Sequence, residues 1–487
     1  MSHTDSFALI IFGITSNLAQ KYLLRALYDM EEKGALPENI SIIGNARREL
    51  SDEEFKKYIV EVLNSENIHH QHPIEPKIVE KLSKKMYYVD GYLDNPNFYE
   101  KLDLFLKDLD KKGHPIDNKI FYLAVYPDLY QSIFENLKKH QLTNQDKGWV
   151  RLMVEKPFGQ DLNTASRLNK LLEGYFTEDQ IYRLDHYLGK ETLQNILTFR
   201  FGNGLFEPLI NSEYVDHIQI TALEDFGIGS RGGFYDIVGA LKDVGQNHQL
   251  QMLAFTTMDS PKKFTNESIT EERIKILKAL KPHPKEIVFG QYEGYTEEKN
   301  ISPTSTTETF YAFKTEVDND RFKEVPIYVR AGKFAKKTVT EISIVFKTPQ
   351  NRLFKDFEKG MEPNVLVYRL APNEGIVMKI LTKKPGGEEI ELESEYMQYC
   401  YRVDPNSHAY PDPYDKLISD TIEGNQTFFN DAREVEAQWA FIDPLVKNPN
   451  QKPITYKKGS WGPKEADELI EKDGRKWLEP SEQFCRI

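Results

Sequence analysis

The chain has 487 residues, and 76 acidic side chains against 63 basic ones give it a net charge of −13. This length exceeds one compact core and implies two or three domains, while the charge disfavours nucleic acid as a partner and requires a local basic pocket for any anionic ligand. Apolar residues make up 39% without any run near the roughly 20 residues of a membrane span, and no basic-then-apolar leader opens the sequence, so no membrane partner and a cytoplasmic location are expected.

The run from Ala8 to Phe12 is short and almost purely apolar, as expected of a strand buried on both faces of a parallel sheet. Residues 13–17 make a turn, after which Leu18, Ala19, Leu23, Leu24, Ala26, Leu27 and Met30 recur at helical spacing. Gly34 and Pro37 punctuate the end of that helix. Ile40 to Gly44 reads as a second strand, completing a β-α-β unit. Its turn carries Gly13-x-x-Ser16-x-x-Ala19 in place of G-x-G-x-x-G. Gly13 permits the sharp turn, Ser16 stands where a second glycine would admit a pyrophosphate, and Ala19 is small enough for the helix to pack on the strand. Taken alone, the motif is better read as an ordinary βα turn. After the second strand come Arg47 and Arg48, where an NAD enzyme presents an acid to the ribose. Two guanidinium forks suit the 2′-phosphate of NADP instead.

His69, His70 and His72 lie in a polar stretch that reads as a solvated helix end, and no metal site is expected there or elsewhere. Strands at about 86–89, 120–124 and 150–154 alternate with amphipathic helices, as in a doubly wound sheet. From Val215 the texture changes. Strands are expected at 215–222, 326–330, 341–346, 365–370 and 376–381, with helices at about 234–255 and 271–280 among them. Serial strands with segregated helices mark an α+β domain on a mostly antiparallel sheet. The expected architecture is a Rossmann-like α/β domain over 1–190 followed by a larger α+β domain over 191–487. Cys400 and Cys485 are the only cysteines; far apart in sequence, they suit a reducing compartment and argue against a disulfide framework.

Arg183-Leu-Asp-His-Tyr-Leu-Gly-Lys-Glu191 concentrates five ionisable groups and a tyrosine in nine residues. A helix starting near Leu188 would let His186 and Lys190 converge on its first turn, where free N–H groups attract anions, making a monoester phosphate site. A solvated salt-bridge cluster is the alternative reading of this segment.

Several segments together resemble the glucose-6-phosphate dehydrogenase family. The run Arg183–Glu191 is similar to its sugar-phosphate signature with one Ile-to-Leu change. Also similar are Glu155-Lys-Pro-Phe-Gly159, Arg231-Gly-Gly-Phe-Tyr-Asp236 leading to Asp243-x-x-Gln-Asn-His248, Val325-Pro-x-x-x-Arg330-x-Gly-Lys333, Ala371-Pro-Asn-Glu374 and Gly459-Ser-Trp-Gly-Pro463. The resemblance implies oxidation of D-glucose 6-phosphate by NADP to 6-phospho-D-glucono-1,5-lactone, the entry step of the pentose phosphate pathway, by a homodimer or homotetramer. It implies His248 as general base and Asp185 as the carboxylate that orients it. His186, Tyr187 and Lys190 would hold the phosphate, with Lys336 or Lys337 a second lysine there. Glu224, Asp243 and Lys333 would hold the sugar, while Lys156 would lie between substrate and nicotinamide. Thr15, Arg47 and Tyr130 would contact NADP, beside Gly13, Ser16 and Arg48. The chain departs from the family at Ser16-Asn17, where Gly-Asp is usual, and at Gln20, where a lysine or arginine is common.

These residue types suit the chemistry. Oxidising a hemiacetal requires the hydroxyl proton to leave as hydride departs from C1, and an unperturbed imidazole with a pKa near 6.5 is a suitable base. Helical spacing does not itself identify the base. On an ideal α-helix Asp243 and Asn247 share a face while His248 lies well round from Asp243, and in isolation His248 reads equally as a packed helix histidine. Two other functions fit the pattern: a dehydrogenase of another sugar or sugar phosphate, with NAD allowed, and a sugar-phosphate or nucleotide-binding paralogue without turnover.

Overall fold

The computed structural model describes residues 6–65, 73–114, 116–349, 361–386, 390–401, 412–447, 452–481 and 484–485; the His69–His72 run lies outside them. The chain forms two compact units.

The first gathers Met1–Gly159, Asn163–Gly189 and Ala409–Ala432. Its six strands are β1 (Phe7–Phe12), β2 (Ile40–Asn45), β3 (Met86–Tyr88), β4 (Asn118–Leu123), β5 (Val150–Val154) and β6 (Ile181–Arg183). They pair in the order β3-β2-β1-β4-β5-β6, every pair parallel. All six residues of β1 are buried, because helices cover both faces of such a sheet. The strand order reverses between β1 and β4, the switch point where open α/β sheets bind ligands beyond the carboxyl ends of their strands.

A late segment completes this unit. The helix Pro413–Glu423 sends Leu417 and Ile418, with Phe429 beyond it, into the same apolar core as β1 and β2. Lys33 Nζ lies 3.0 Å from Asp415 Oδ2, and Arg151 Nη1 donates to the carbonyls of Thr421 and Ile422 at 2.7 Å each.

The second unit holds Lys190–His408 and Arg433–Ile487 with the short piece Gln160–Leu162. Its strands are β7 (Val215–Leu223), β8 (Ile287–Tyr292), β9 (Phe310–Thr315), β10 (Ile327–Gly332), β11 (Val339–Phe346), β12 (Val365–Ala371), β13 (Gly375–Lys383), β14 (Leu392–Cys400) and β15 (Ile454–Tyr456). They form one sheet, β14-β13-β12-β11-β7-β10-β9-β8-β15, antiparallel except at β7–β10 and β8–β15. The mixed, mostly antiparallel sheet matches the expected class.

Two local expectations are corrected. The helix expected over 234–255 is broken at Gly239, whose φ of 73° and ψ of 170° are not helical. An α-helix, Gly232–Ala240, gives way there to a π-helix, Leu241–Gln249, which continues as the α-helix Leu250–Thr257. Cys400 and Cys485, expected as thiols, are joined in a disulfide with a Cα–Cα distance of 5.3 Å. Their 85-residue separation gave no hint, since the partners meet only once the C-terminal tail lies against the end of β14. Among the described residues no helix is long and apolar enough to cross a membrane.

Candidate active site

In the first unit the β1 turn is built as a nucleotide cradle requires. Gly13 has φ 84°, and its N–H and that of Ile14 both donate to Asn45 O, at 3.0 and 2.9 Å. This ties the turn to the carboxyl end of β2. Ser16 donates its N–H to Gly13 O at 2.9 Å and accepts from Ala19 N at 3.2 Å, so its hydroxyl caps the start of the following helix. Gln20 Nε2 donates to Thr15 O and to Tyr58 Oη, both at 3.0 Å, and braces the turn from behind. Arg47 and Arg48 are exposed two and three residues beyond the end of β2. A close backbone turn with two open guanidinium groups alongside fits a dinucleotide carrying an extra phosphate. Tyr130 is placed differently: it is fully buried, its ring 5.7 Å from Phe134.

Past β5, Glu155 is buried and accepts from the hydroxyls of Tyr122 and Tyr414. Burial pushes its carboxyl up to about 7 against those hydrogen bonds and the charge of Lys156. Lys156 is half-buried and precedes a cis proline, Pro157. Past β6, the buried Asp185 accepts the Tyr187 N–H at 2.9 Å, which folds the loop back on itself. His186 and Tyr187 are half-buried, their rings edge to face at 5.0 Å. The expected helix start is corrected here. The helix is Glu191–Phe201 with Lys190 as its N-cap residue, so His186 precedes it in a turn.

In the second unit Lys190 Nζ donates to Leu370 O at 3.3 Å and lies 3.7 Å from Glu374. Glu374 also accepts from Thr192 Oγ1 at 3.0 Å. Glu224 and Lys333 follow the parallel neighbours β7 and β10, whose last residues, Leu223 and Gly332, are paired; both residues therefore stand at the same end of these strands, where they form an ion pair. The Lys333 ammonium lies 5.3 Å from the Phe226 ring and 5.8 Å from the Tyr235 ring. Asp243 is buried on the π-helix, 3.8 Å from Arg231 Nη1. Burial raises the Tyr235 hydroxyl well above its ordinary range, and the carboxylates of Asp243 and Glu224 add to the rise. Glu224, Lys333, Asp243 and Tyr235 thus form one polar cluster. His248, on the same π-helix as Asp243, is 2% exposed. Lys337 is directed elsewhere, donating to Pro480 O.

Sequence reasoning missed Tyr235 and Glu374. Both sit inside motifs singled out above; Tyr235 is buried and Glu374 half-buried, and nothing in their local pattern marks either as a neighbour of these candidates.

A parallel sheet of this order, with a glycine turn after its first strand and paired arginines after its second, is the frame of a nucleotide-dependent oxidoreductase. Residues 10–195 match the family model described as glucose-6-phosphate dehydrogenase, NAD binding domain, and residues 197–478 match its C-terminal domain. The chain is 38% identical to glucose-6-phosphate 1-dehydrogenase of Chlamydia muridarum over 96% of both sequences. It is 37% identical to that of Bacillus subtilis, over 96% of this chain and 97% of the relative. A solved glucose-6-phosphate dehydrogenase in complex with its substrate glucose-6-phosphate superposes with a TM-score of 0.89 at 31% identity, covering 98% of this chain and 99% of that one. The Mycobacterium avium structure gives 0.86 at 32%, covering 98% of this chain and all of its own. The chain belongs to the glucose-6-phosphate dehydrogenase family.

Proposed function

We propose that this chain oxidises D-glucose 6-phosphate at C1 with NADP, giving 6-phospho-D-glucono-1,5-lactone. The observation that carries this reading is full-length similarity to a substrate-bound relative, with every chemically necessary residue type present. When bound, NADP supplies the hydride acceptor. Gly13, Thr15 and Ser16 shape its cradle, Arg47 and Arg48 meet its 2′-phosphate, and Lys156 stands toward the nicotinamide. His186, Tyr187 and Lys190 hold the sugar's phosphate, while Glu224, Asp243 and Lys333 bind its hydroxyls. His248 takes the C1 hydroxyl proton as the C1 hydride departs, and Asp185 orients the imidazole and stabilises its protonated form. Holding the phosphate spends binding energy on aligning C1. Lys337 and Tyr130 are left out of this assignment, because the first is engaged at Pro480 and the second lies in the core.

His248→Asn should lower kcat by about 10²–10⁴-fold, and Lys190→Ala should mainly raise KM for the sugar phosphate. Undiminished turnover by His248→Asn removes the base assignment, and equal rates on glucose and its 6-phosphate remove the phosphate subsite. Two further elements belong to the proposal. A cytoplasmic location follows from the multiply charged substrate and cofactor, which a bilayer does not pass. Pairing of two copies follows from β14, which leaves Tyr396, Met397 and Tyr399 at 40, 62 and 56% exposure; a monomeric mass in sedimentation equilibrium would count against it.

A further inference from the structure

The segment that carries Asp243 and His248 is held in an unusual helical form, and the hold is identifiable. A π-helix bonds each N–H to the carbonyl five residues back and so has more residues per turn than an α-helix, which brings residues five apart toward a shared face. Asp243 and His248 are five apart. The α-helical reading of the sequence places them on different sides; the π-helix Leu241–Gln249 brings them to one. Such a helix does not start without help, because its first N–H groups have no intrahelical partner and the chain enters it through Gly239.

Both problems are met by Glu308, from the loop before β9. Its Oε1 accepts the Leu241 N–H at 3.0 Å, and its main-chain carbonyl accepts the Ala240 N–H at 3.1 Å. A Cβ at Gly239 would lie 2.4 Å from Glu308 Oε1, so the glycine is needed both for its φ of 73° and for the approach of this carboxylate. The loop is itself pinned to the preceding helix: Asp236 accepts from Tyr295 Oη at 3.0 Å and from Ser305, and Thr307 Oγ1 donates to Asp236 O at 2.6 Å. At the other end, Gln249 accepts from Tyr311 of β9 and donates to Arg330 O of β10 at 2.8 Å. The π-helix is thus clamped at one end by Glu308 and at the other by the sheet.

We propose that Glu308 is a positioning residue, whose carboxylate and carbonyl cap the break at Gly239 and so fix the helical register that puts Asp243 and His248 on one side. The inference rests on the reading of His248 as the base, and adds to it a residue that touches neither substrate nor cofactor.

Steady-state kinetics of Glu308→Ala and Glu308→Gln, with melting temperatures and with His248→Asn as a companion, test it. Glu308→Ala should lose about 10- to 100-fold in kcat, the cost of a misplaced reacting group, with KM for NADP unchanged. Glu308→Gln keeps an acceptor oxygen and should stay within about threefold of the parent. A Glu308→Ala enzyme with a lowered melting temperature but the parental kcat overturns the proposal, since the cap would then serve stability alone. So does a Glu308→Gln enzyme as slow as Glu308→Ala. Should Glu308→Ala fail to fold, Glu308→Asp withdraws the oxygen by one methylene and should lose about fivefold or more in kcat at unchanged KM for NADP; parental kcat there overturns the proposal equally. A slow His248→Asn beside an unimpaired Glu308→Ala removes only the positioning role, whereas a fast His248→Asn removes the base on which it depends.

Discussion

Replacing Gly13 by alanine tests the cradle at its tightest point. At φ 84° a residue with a Cβ pays about 1–2 kcal/mol. The new atom would lie 2.6 Å from Ala124 O and 2.7 Å from Val125 Cγ1. The valine methyl can rotate away, but the carbonyl cannot follow easily, because the Ala124 N–H is bonded to Phe12 O at 3.0 Å and so continues the β1–β4 pairing. Relief must come from the turn itself, at an overpacking cost of about 1–3 kcal/mol. The sum is about 2–5 kcal/mol, concentrated where the pyrophosphate would rest. If half of it appears in binding, KM for NADP rises roughly 5- to 60-fold, while KM for the sugar phosphate at saturating NADP stays within about twofold. Reduced-nicotinamide absorbance measures both constants, and a thermal melt reports the remainder. An unchanged KM for NADP with an unchanged melt would refute the reasoning, and an equal rise in both KM values would reduce it to a general folding defect.

Arg47→Ala should cost NADP a charge-assisted hydrogen bond, about 1.5–3 kcal/mol in general and near the lower end at so exposed a site, or roughly tenfold in kcat/KM; NAD should be unaffected, and a matching loss with NAD would sink the 2′-phosphate assignment. Glu155→Gln tests a linkage between ionisation and stability. The folded carboxyl titrates at about 7 and its reference value is 4.5, so the unfolded chain ionises first as pH rises. The stability present below about 4.5 is therefore lost progressively toward pH 7, by up to about 3 kcal/mol. A glutamine cannot ionise, so the variant's melting temperature should gain on the parent more at about pH 8 than at about pH 5; identical offsets at the two values would contradict the buried-carboxyl account.

The nucleotide-binding half was legible because its signals are local. An apolar run such as β1, a glycine turn and a periodic helix declare themselves within 30 residues, and the arginines after β2 stand out against an acidic chain. What escaped depends on partners distant in sequence. β14 is largely exposed and lacks a strand's buried alternation, and β6 and β15 have three residues each. The region over 234–255 shows one continuous helical texture, and a lone glycine does not announce a break. Only the structure, with Glu308 supplied from a loop about 70 residues on, explains why the chain changes helical form there. The candidate site residues were legible as residue types and motifs, but not the meeting of Glu224 with Lys333, which follows from the parallel pairing of β7 and β10 that no spacing encodes.

The membership of Ala409–Ala432 in the first unit bears on how the protein is made. A ribosome that has delivered the six parallel strands has still not delivered Leu417, Ile418 and Phe429, which share their core. The nucleotide-binding half must therefore wait, with part of its apolar interior open, for more than 200 further residues to emerge. Both halves draw on residues past 408, so a nascent chain stalled before them carries neither in a completed state.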